Sequence, residues 1–558
     1  MTIRAALALV AAILAPPLLS SQGSSVDVQV LAINDLHGAL EPPPESHAAG
    51  GIQYVASHLA RLKAANPHTV IVSAGDNIGA SPLVSGLFHD EPTIEALGAA
   101  GLHFSAVGNH ELDEGWTELL RMQNGGCHPR DGCQDGTPFD GASFQFLSAN
   151  VRFDPRRADP AALAAGGRKG GDTLFPPYAV REFEGVKVGF IGLTLRRAPD
   201  ILAAGARDLV FDGEARAANS LVRTLRRQGV RAIVILIHEG GRTEEGAADE
   251  CQTLSGEIVG IVRSLSSEID VVVSGHTHRA YTCTVGRTLV TSAGFNGRMI
   301  SDIDLTIDRR SGDVVAKAAR NVVVTRDIAA DPVQSALVAR YQTLAAKVAL
   351  RPAGAIAATI SRQVNAAGES PLGDIIADSM LAASSDPTVG GAVVAFVNMG
   401  GIRSDLTRAP EADGGAAGGV TYADLFRVQP FGNQLLVKTL TGEALLRMLE
   451  QQFDNPTAGT DAILQVSAGF SYRYNRARPR GRRVDRSSVR LGDRPIDPRA
   501  RYRVVMSDFL WSAGDRLTVA LEGTDATSVV GDIDAFVSYV QAHSPLTPGV
   551  PSRIQRDP

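Results

Sequence analysis

Short apolar runs separated by polar loops repeat along the first part of the chain. Between Val26 and about residue 325, six such runs are rich in β-branched residues, and helical stretches often follow them. Continuous apolar runs of this length are typical of central strands that are buried on both faces. Strands that alternate with helices predict an α/β domain. The six runs are VDVQVLAI (26–33), TVIVSAG (69–75), FSAVG (104–108), VKVGFIGL (186–193), AIVILI (232–237) and DVVVSG (270–275).

The pattern changes near residue 331. The segment 331–350 has apolar residues at helical spacing, and Asp331 followed by Pro332 resembles a helix N-cap with a first-turn proline. A second mixed region follows, with the apolar runs VVAFVN, QLLVKTL and YRVVMSDFL, and a chain of 558 residues is too long for one hydrophobic core. The predicted organisation is a first domain at 26–330, a linking helix at 331–350 and a second domain at 351–558.

The first 25 residues have the pattern of an export signal. Arg4 is followed by an apolar run from Ala5 to Ala15, two prolines and small polar residues. This is the order of a secretory signal peptide, and the run is too short to span a bilayer comfortably. The sequence therefore predicts a signal peptide at 1–25 and an exported protein, periplasmic or extracellular, without stable membrane insertion after signal removal. An uncleaved N-terminal anchor is the alternative.

The four cysteines agree with export. An even number in an exported protein predicts two disulfides, although four cysteines allow three pairings. Cys127 and Cys133 bracket the polar turn HPRDG, which favours their pairing and leaves Cys251 for Cys283. Unpaired thiols are the alternative. The sequence contains no CxxC motif, so these residues are not expected to bind a metal.

The charge pattern argues against a nucleic-acid partner. The formal net charge of −6 is mild for a chain of this length. The segment 473–503 contains twelve arginines, but its Asp, Pro and Gly residues and its few aromatic residues favour a solvated hairpin. The glycine-rich stretches at 165–171 and 411–419 are predicted surface loops.

Potential metal ligands follow five of the six predicted strands. In an open α/β sheet, side chains beyond the carboxyl ends of the strands meet at the edge where ligands bind. Each motif alone has a structural explanation, such as helix capping by an asparagine. Their common position after strands predicts one cluster instead. The candidates are Asp35 and His37 in NDLHG, Asp76 in AGDN, Asn109 in GNHELD, His238 in LIHEGG, and His276 and His278 in SGHTH.

The types of these ligands indicate two divalent ions. Imidazoles and carboxylates without thiolates suit Mn, Zn, Co or Fe. Seven ligands are too many for one tetrahedral ion, whereas the Asp76 carboxylate could bridge two ions about 3.5 to 4 Å apart. Two such ions polarise a phosphoryl oxygen and lower the pKa of a bound water to near neutrality. The sequence therefore predicts attack on phosphorus by a metal-bound hydroxide.

A histidine and an aspartate beside this cluster are candidates for proton transfer. His110 directly follows Asn109, and Asp113 could hold the ring of His110 and favour its cationic form. A cationic His110 would stabilise the phosphoryl oxygens or protonate the leaving oxygen. Stabilisation of a helical first turn is the alternative role for Asp113.

These motifs resemble the calcineurin-like metallophosphoesterase signature, and with the second half of the chain they resemble the exported 5′-nucleotidase family. That family includes ecto-5′-nucleotidases and periplasmic UDP-sugar hydrolases. The resemblance implies an α/β fold, with a four-layer metallophosphoesterase sandwich followed by a smaller α+β substrate-binding domain. It also implies a catalytic dyad of His110 and Asp113, a first ion held by Asp35, His37, Asp76 and His278, and a second ion held by Asp76, Asn109, His238 and His276.

The resemblance also implies substrate-binding residues in the second domain. Asn398 and Arg403 flank two glycines in NMGGIR, and a guanidinium suits phosphate. Phe431 and Phe509 lie in glycine-containing loops and would stack on a nucleobase, although phenylalanines are more often core residues. Asp515 would accept hydrogen bonds from ribose hydroxyls. The family closes its two domains about a hinge near the linking helix.

The chain departs from the family pattern at three places. Members often carry an arginine just before the equivalent of Glu369, where this chain has Asn365 and Ala366. Asp374 stands where asparagine is common, and Ala513 stands where a second glycine is usual. These differences concern phosphate binding and substrate preference rather than the metal ligands.

The leading hypothesis is an exported metal-dependent phosphohydrolase for nucleoside 5′-monophosphates, with nucleotide diphosphate sugars as further substrates. A 2′,3′-cyclic nucleotide phosphodiesterase on the same scaffold is the enzymatic alternative. A related thiosulfohydrolase shares the architecture, but the two phenylalanines argue against a small sulfur substrate. An exported nucleotide-binding protein without turnover is the alternative of another class, and the intact ligand set argues against it. The sequence leaves the native metals, the preferred base and the oligomeric state open.

Overall fold

The computed structural model describes residues 23–42, 49–200, 202, 208–243, 251, 253–408, 418–454 and 462–557. The predicted signal peptide at 1–25 lies almost wholly outside these residues, as does most of the glycine-rich stretch at 411–419. Ser25, the last residue of the predicted signal, is the first residue of a strand.

All six apolar runs of the first part form strands, and eight further strands join them among the described residues. The strands end before the runs do at three places, at Ser73, Ala106 and Ser274. After the first of these, Gly75 turns the chain with φ 88°. The strands are β1 (Ser25–Ile33), β2 (Thr69–Ser73), β3 (Phe104–Ala106), β4 (Gln145–Leu147), β5 (Val151–Phe153), β6 (Tyr178–Phe183), β7 (Val186–Thr194), β8 (Leu209–Phe211), β9 (Ala232–His238), β10 (Val271–Ser274), β11 (Ala280–Val285), β12 (Thr288–Ala293), β13 (Met299–Asp308) and β14 (Val314–Val323).

Twelve of these strands form two six-stranded sheets that pack face to face. One sheet has the order β14-β13-β1-β2-β3-β4, and the other has the order β11-β12-β10-β9-β7-β6. The central strands run parallel, while β13, β14, β6 and β11 add antiparallel edges. Buried side chains of both sheets, such as Val30, Val72, Val234 and Val273, fill the space between them.

Helices cover the outer faces of the two sheets. One outer core joins Leu31 and Ile71 to the helices on one side, and another joins Ile235 to Val222 and Ile258 on the other side. The layers are therefore helix, sheet, sheet and helix, which confirms the predicted four-layer sandwich. The helices are α1 (Ile52–Lys63), α2 (Leu83–Gly86), α3 (Glu91–Ala99), α4 (Trp116–Asn124), α5 (Pro160–Ala165), α6 (Glu214–Arg227) and α7 (Glu257–Ser264).

The predicted linking helix is α8 (Pro332–Ala349), and its N-cap is Asp331 as expected. The Asp331 carboxylate accepts a hydrogen bond from the backbone N–H of Gln334 at 2.9 Å. Gln334 donates in turn to the backbone oxygen of Ala96 at 2.8 Å, and Tyr341 packs edge-on against Phe88 with ring centroids 4.9 Å apart. The helix therefore belongs to the core of the sandwich rather than to a free linker.

The remaining chain builds a mixed five-stranded sheet of order β19-β16-β23-β18-β24, with helices on both faces. Alternate residues of β16 face two cores, because Val394 and Phe396 join one and Ala395 and Val397 join the other. The elements are β15 (Pro352–Ala355), α9 (Pro371–Ser384), β16 (Val394–Val397), β17 (Gly419–Thr421), α10 (Tyr422–Val428), β18 (Gln434–Thr441), α11 (Gly442–Gln451), β19 (Gln465–Val466), β20 (Phe470–Tyr474), β21 (Arg490–Leu491), β22 (Arg494–Pro495), β23 (Arg501–Ser507), α12 (Asp508–Trp511), β24 (Thr524–Gly531), α13 (Asp532–Ala542) and β25 (Ile554–Arg556).

The arginine-rich segment lies mostly at the surface of a small sheet of order β22-β21-β20-β25. Several of its arginines face acids, as Arg473 faces Asp485 at 3.6 Å. Both predicted disulfides are present, between Cys127 and Cys133 and between Cys251 and Cys283. Within the described ranges, no helix combines the length and the apolar character that a membrane crossing requires.

Candidate active site

The seven predicted ligands meet at one edge of the sandwich, where the parallel strands of both sheets end. Five of the seven have a left-handed backbone, with φ of 50° at Asp35, 48° at His37, 51° at Asp76, 70° at His276 and 56° at His278. Such conformations are unfavourable for residues other than glycine and persist where the surrounding structure imposes them. The strand ends therefore force these side chains to turn inward.

Three ligands form the first group. The facing Nε2 atoms of His37 and His278 are 3.0 Å apart. The Oδ1 atom of Asp35 lies 3.4 Å from Nε2 of His278 and 3.9 Å from Nε2 of His37. Two ring nitrogens and a carboxylate oxygen thus point at a common centre, as expected for the ligands of one ion.

Asp76 connects this group to the second one. Its Oδ2 atom is 2.9 Å from Nε2 of His238 and 3.8 Å from Nε2 of His37, and His276 completes the second group. Burial alone would raise the pKa of Asp76, but the charge of His238 holds it well below its usual range. An ionised carboxylate between two groups of imidazoles has the position that a bridging ligand needs.

Two buried polar atoms of the site have no hydrogen-bond partner, and a bound cation would supply the missing contact. Oδ1 of Asn109 and Nε2 of His238 are both buried without a partner, and the 2.9 Å separation of His238 from Asp76 is not aligned as a hydrogen bond. Buried polar atoms are rarely left in this state. Burial lowers the pKa of His276 to about 3, so its ring is neutral and keeps a lone pair. The donor set therefore fits two divalent ions.

Backbone carbonyls orient two of the ligand rings. Nδ1 of His37 lies 2.9 Å from the backbone oxygen of Gly79, and Nδ1 of His238 lies 2.9 Å from that of Ala74. A proton on each Nδ1 leaves Nε2 free to face the centre of the site, which is the usual arrangement of metal-binding histidines. Gly108 permits the close approach, since a Cβ atom there would lie 2.1 Å from Oδ1 of Asp76.

Sequence reasoning missed Glu111, which organises the loops beneath the ligands. Its carboxylate accepts backbone N–H groups of Asp76 at 2.8 Å, Asn77 at 2.8 Å and Gly108 at 2.7 Å. Burial raises the pKa of Glu111 to about 7, and the charge of Asp76 adds to this shift. The sequence could have indicated Glu111 through its position in GNHELD, because other residues of that motif were already candidates for the site.

The two residues of the predicted dyad are in contact. Nδ1 of His110 lies 2.7 Å from Oδ2 of Asp113, and the backbone N–H of His110 donates to Oδ1 of Asp76 at 2.9 Å. Burial would lower the pKa of His110, but the charges of Asp113 and Asp76 raise it. The two carboxylates therefore favour the cationic form of His110 beside the ligand cluster, with Nε2 as the nitrogen that Asp113 does not contact.

The second domain contributes residues that face this dyad. The ring of Phe431 stacks near His110 with centroids 5.9 Å apart, and the guanidinium of Arg403 lies 5.8 Å from the centroid of Phe431. Burial lowers the pKa of Arg403, as does the charge of Arg362, while the carboxylates of the ligand cluster act in the opposite direction. Arg362 was also missed by sequence reasoning, and it donates to the backbone oxygen of Arg403 at 2.6 Å.

The other three predicted substrate residues lie on neighbouring loops and short helices. Nδ2 of Asn398 donates to Oδ2 of Asp515 at 2.7 Å, and burial raises the pKa of that carboxyl. Phe509 packs partly against the core of the second domain and close to Gly514. Among the described residues no ring contact joins Phe509 to Phe431. Phe509 thus has part of the core role that the sequence left open as an alternative.

One of the three departures from the family pattern has a local structural role. Asn365 caps a turn, since its side-chain oxygen accepts the backbone N–H groups of Ala367 and Glu369. Burial raises the pKa of Asp374 to about 8. Ala513 has a left-handed backbone with φ 74°, which is the conformation that glycine adopts most readily.

Both parts of the chain match known protein families. Residues 28–280 match the family model for calcineurin-like phosphoesterases, and residues 345–522 match the 5′-nucleotidase C-terminal domain. The protein named Endonuclease YhcR from Bacillus subtilis strain 168 is 31% identical over 93% of this chain and 40% of the relative. Cell wall protein Lmo0130 from Listeria monocytogenes is 31% identical over 93% of this chain and 67% of that protein.

A solved structure has the same two-part architecture. The crystal structure of a 5′-nucleotidase precursor from Thermus thermophilus superposes with a TM-score of 0.75 at 25% identity, over 95% of this chain and 99% of that one. The chain spans less than half the length of the Bacillus relative. With both family models matched in order, the chain belongs to the 5′-nucleotidase family of metal-dependent phosphoesterases.

Proposed function

We propose that the protein is an exported phosphohydrolase that releases phosphate from nucleoside 5′-monophosphates, with nucleotide diphosphate sugars as further substrates. The observation that carries the proposal is the convergence of seven metal-ligand side chains on a buried point beside a His–Asp pair. Arg403 and Phe431, which suit a phosphate and a base, approach the same pair from the second domain.

The ligand groups suggest which residues would hold the ions. Asp35, His37, Asp76 and His278 would bind one, and Asp76, Asn109, His238 and His276 would bind the other, with manganese, zinc, cobalt or iron as suitable metals. When bound, two such ions supply an acidified water and polarise a phosphoryl oxygen.

The remaining side chains would position the substrate and move a proton. Arg403 would bind the phosphate through its guanidinium, and His110, kept cationic by Asp113, would donate from Nε2 to the phosphoryl or leaving oxygen. The base would stack on Phe431 and Phe509, while Asn398 and Asp515 would bind the ribose hydroxyls. Closure of the two domains would bring these groups to one place.

A phosphodiester substrate is the second candidate. The Bacillus relative that covers 93% of this chain is named an endonuclease, and this favours tests with diesters, including 2′,3′-cyclic nucleotides. A nucleotide-binding protein without turnover is the non-enzymatic alternative. The complete set of seven predicted ligands argues against it.

The decisive experiment measures hydrolysis by the purified mature protein, loaded with Mn²⁺ or Zn²⁺. AMP, UDP-glucose, 2′,3′-cyclic AMP and bis(p-nitrophenyl) phosphate would be compared, with and without a chelator. We expect the highest kcat/KM for AMP and complete loss on chelation. His68→Gln, which alters a partly exposed histidine paired with Glu184, is the matched control and should keep full activity. Turnover that survives chelation would contradict the proposal, and turnover of diesters alone would favour the second candidate.

Export is proposed from the N-terminal sequence pattern and from the name of the Listeria cell wall relative. Its test is the N-terminal sequence of the protein recovered outside the cytoplasm. A start between residues 16 and 26 is expected, and recovery of the chain from the cytoplasm with an intact Met1 would exclude export.

A further inference from the structure

A second group of metal-binding side chains lies apart from the seven ligands described above. His89 precedes α3, Glu114 precedes α4, Glu118 lies within α4, and His128 lies in the loop that the Cys127–Cys133 disulfide closes. One ligand atom from each of the four residues lies within 4.8 Å of the others. Three separate segments of the chain therefore bring two imidazoles and two carboxylates together.

The two imidazoles are arranged as a stacked pair with both edges in contact with acids. The ring centroids of His89 and His128 are 3.7 Å apart with an interplanar angle of 16°. On one edge, the Glu114 carboxylate lies 3.1 Å from Nδ1 of His89 and 3.9 Å from Nε2 of His128. On the opposite edge, Oδ2 of Asp131 lies 2.9 Å from Nε2 of His89 and 3.2 Å from Nδ1 of His128.

This arrangement supplies outer partners for both rings. Metal-binding histidines usually donate their second N–H to a carboxylate, which fixes the tautomer, and Asp131 is placed to accept from both. The backbone N–H of Asp131 also donates to Nδ1 of His128 at 3.2 Å. If Nδ1 of His128 is protonated, it loses this contact and donates to the Asp131 carboxylate instead. Either ring can then present a free nitrogen toward Glu114.

The surrounding structure holds the group in place without an ion. His128 is buried, and the left-handed backbone of His89 has φ 51°. Arg121 binds both oxygens of Glu118 and donates to the backbone oxygen of Gly126 at 2.7 Å, which ties α4 to the disulfide loop. Preorganised ligands on rigid elements are a feature of structural metal sites.

We propose that His89, His128, Glu114 and Glu118 form a binding site for a third divalent cation, for which zinc is the best match. Two imidazoles and two carboxylates in a closed group of four suit tetrahedral zinc, whereas calcium and magnesium prefer sites with oxygen ligands alone.

The site is connected to the candidate active site by two short paths. Asp90, next to His89, accepts the backbone N–H of Gly79 at 2.9 Å, and the backbone oxygen of Gly79 contacts Nδ1 of His37. Glu114 directly follows Asp113. The third cation would therefore act as a positioning element for the loops that carry His37 and Asp113, and it would not contact the substrate.

The test counts the metal bound to the full-length mature protein after equilibration with Zn²⁺ and dialysis against metal-free buffer. We expect three zinc ions per chain in the wild type and one fewer in the double variant His89→Gln, His128→Gln. The control is the double variant His68→Gln, His543→Gln, which changes two histidines elsewhere and should keep the wild-type count. Equal zinc counts in the wild type and the His89, His128 variant would overturn the proposal.

A measurement on the unaltered chain guards against loss of folding in that variant. X-ray diffraction data recorded at the zinc absorption edge from wild-type crystals should show an anomalous peak between His89, His128 and Glu114. Glu114→Gln changes only a half-exposed carboxylate and should weaken this peak while leaving those at the seven-ligand site. A zinc-edge map without a peak here, or with a peak on the Asp131 edge alone, would refute the site as assigned.

Discussion

Two regions of the molecule are built by different means. The first, called the ligand edge, is the edge of the sandwich where the seven predicted ligands lie. The second, called the substrate loops, consists of the second-domain segments that carry Phe431, Phe509 and Asp515. At the ligand edge, the side chains follow parallel strands directly, five of the seven are buried, and the loops are fixed by backbone contacts such as those of Glu111. In the second domain, Phe431, Phe509 and Asp515 lie on loops and short helices, and the two phenylalanines are only half-buried. The first region is set by the sheet, whereas the second depends on how loops pack against each other.

The difference predicts how each region responds to change. A ligand fixed by a strand end has no alternative position, so its loss should remove function almost completely. A stacking residue on a loop contributes binding energy that neighbouring groups can partly replace, so its loss should be graded. Substitutions in the two regions should therefore differ by orders of magnitude in their effects.

Asp76→Asn should have the largest effect. An amide cannot bridge two cations as a carboxylate does, and the variant should lose at least one bound ion together with more than about 10,000-fold in kcat. Steady-state AMP hydrolysis and metal analysis of the same samples would test this. Asp27→Asn, an exposed aspartate at the start of β1, is the control and should leave both quantities unchanged. A fall of less than tenfold for Asp76→Asn would show that the strand ends are not the catalytic region.

His110→Asn should have the next largest effect, roughly a 100- to 10,000-fold fall in kcat, because it removes a positioned proton donor. Asp113→Asn keeps His110 but removes the charge that raises its pKa, so a smaller fall is expected. The two residues act as one unit through their 2.7 Å contact, so the double variant should be little worse than His110→Asn alone. Metal content should stay at the wild-type level, and additive losses in the double variant would separate the two residues.

Phe431→Ala changes one of the substrate loops of the second domain and should have a graded effect on substrate binding. Loss of one stacked base contact is worth about 1–3 kcal/mol, so KM for AMP should rise roughly 5- to 150-fold. Ribose 5-phosphate has no base, and its KM should change little. Phe431→Tyr keeps an aromatic face and serves as the matched control. An unchanged KM for AMP in Phe431→Ala would assign this ring to packing against His110 alone.

The same comparison explains what could be predicted from the sequence. Continuous apolar runs identified six strands of the first domain, and the rule that ligands follow strand ends predicted that seven distant residues meet. Glu111 escaped prediction because its role depends on three backbone N–H groups that converge only after folding. The pair of His89 and His128 escaped for a similar reason, since neither follows a strand of the sheet.

In the second domain, residue types alone were insufficient. The resemblance named Phe509 as a stacking residue, but its packing against the domain core depends on loop conformations that no local pattern encodes. Arg362 stands beside Arg403 although it lies several residues before the position where the family usually has an arginine. Loop packing is a tertiary property, and a motif only states which side chains are available.

Ala513→Gly should have the smallest effect, and it should be stabilising. Ala513 has φ 74°, a conformation that a methyl side chain disfavours, so glycine there should raise the free energy of unfolding by about 0.5–1 kcal/mol. Ala382→Gly, at an exposed position of α9 in the same domain, should instead lower it by about 1 kcal/mol. Urea unfolding followed by fluorescence would measure both, and equal destabilisation by the two changes would contradict the prediction. The left-handed residues of the ligand edge allow no such replacement, because glycine would remove the carboxylates and imidazoles that the site requires.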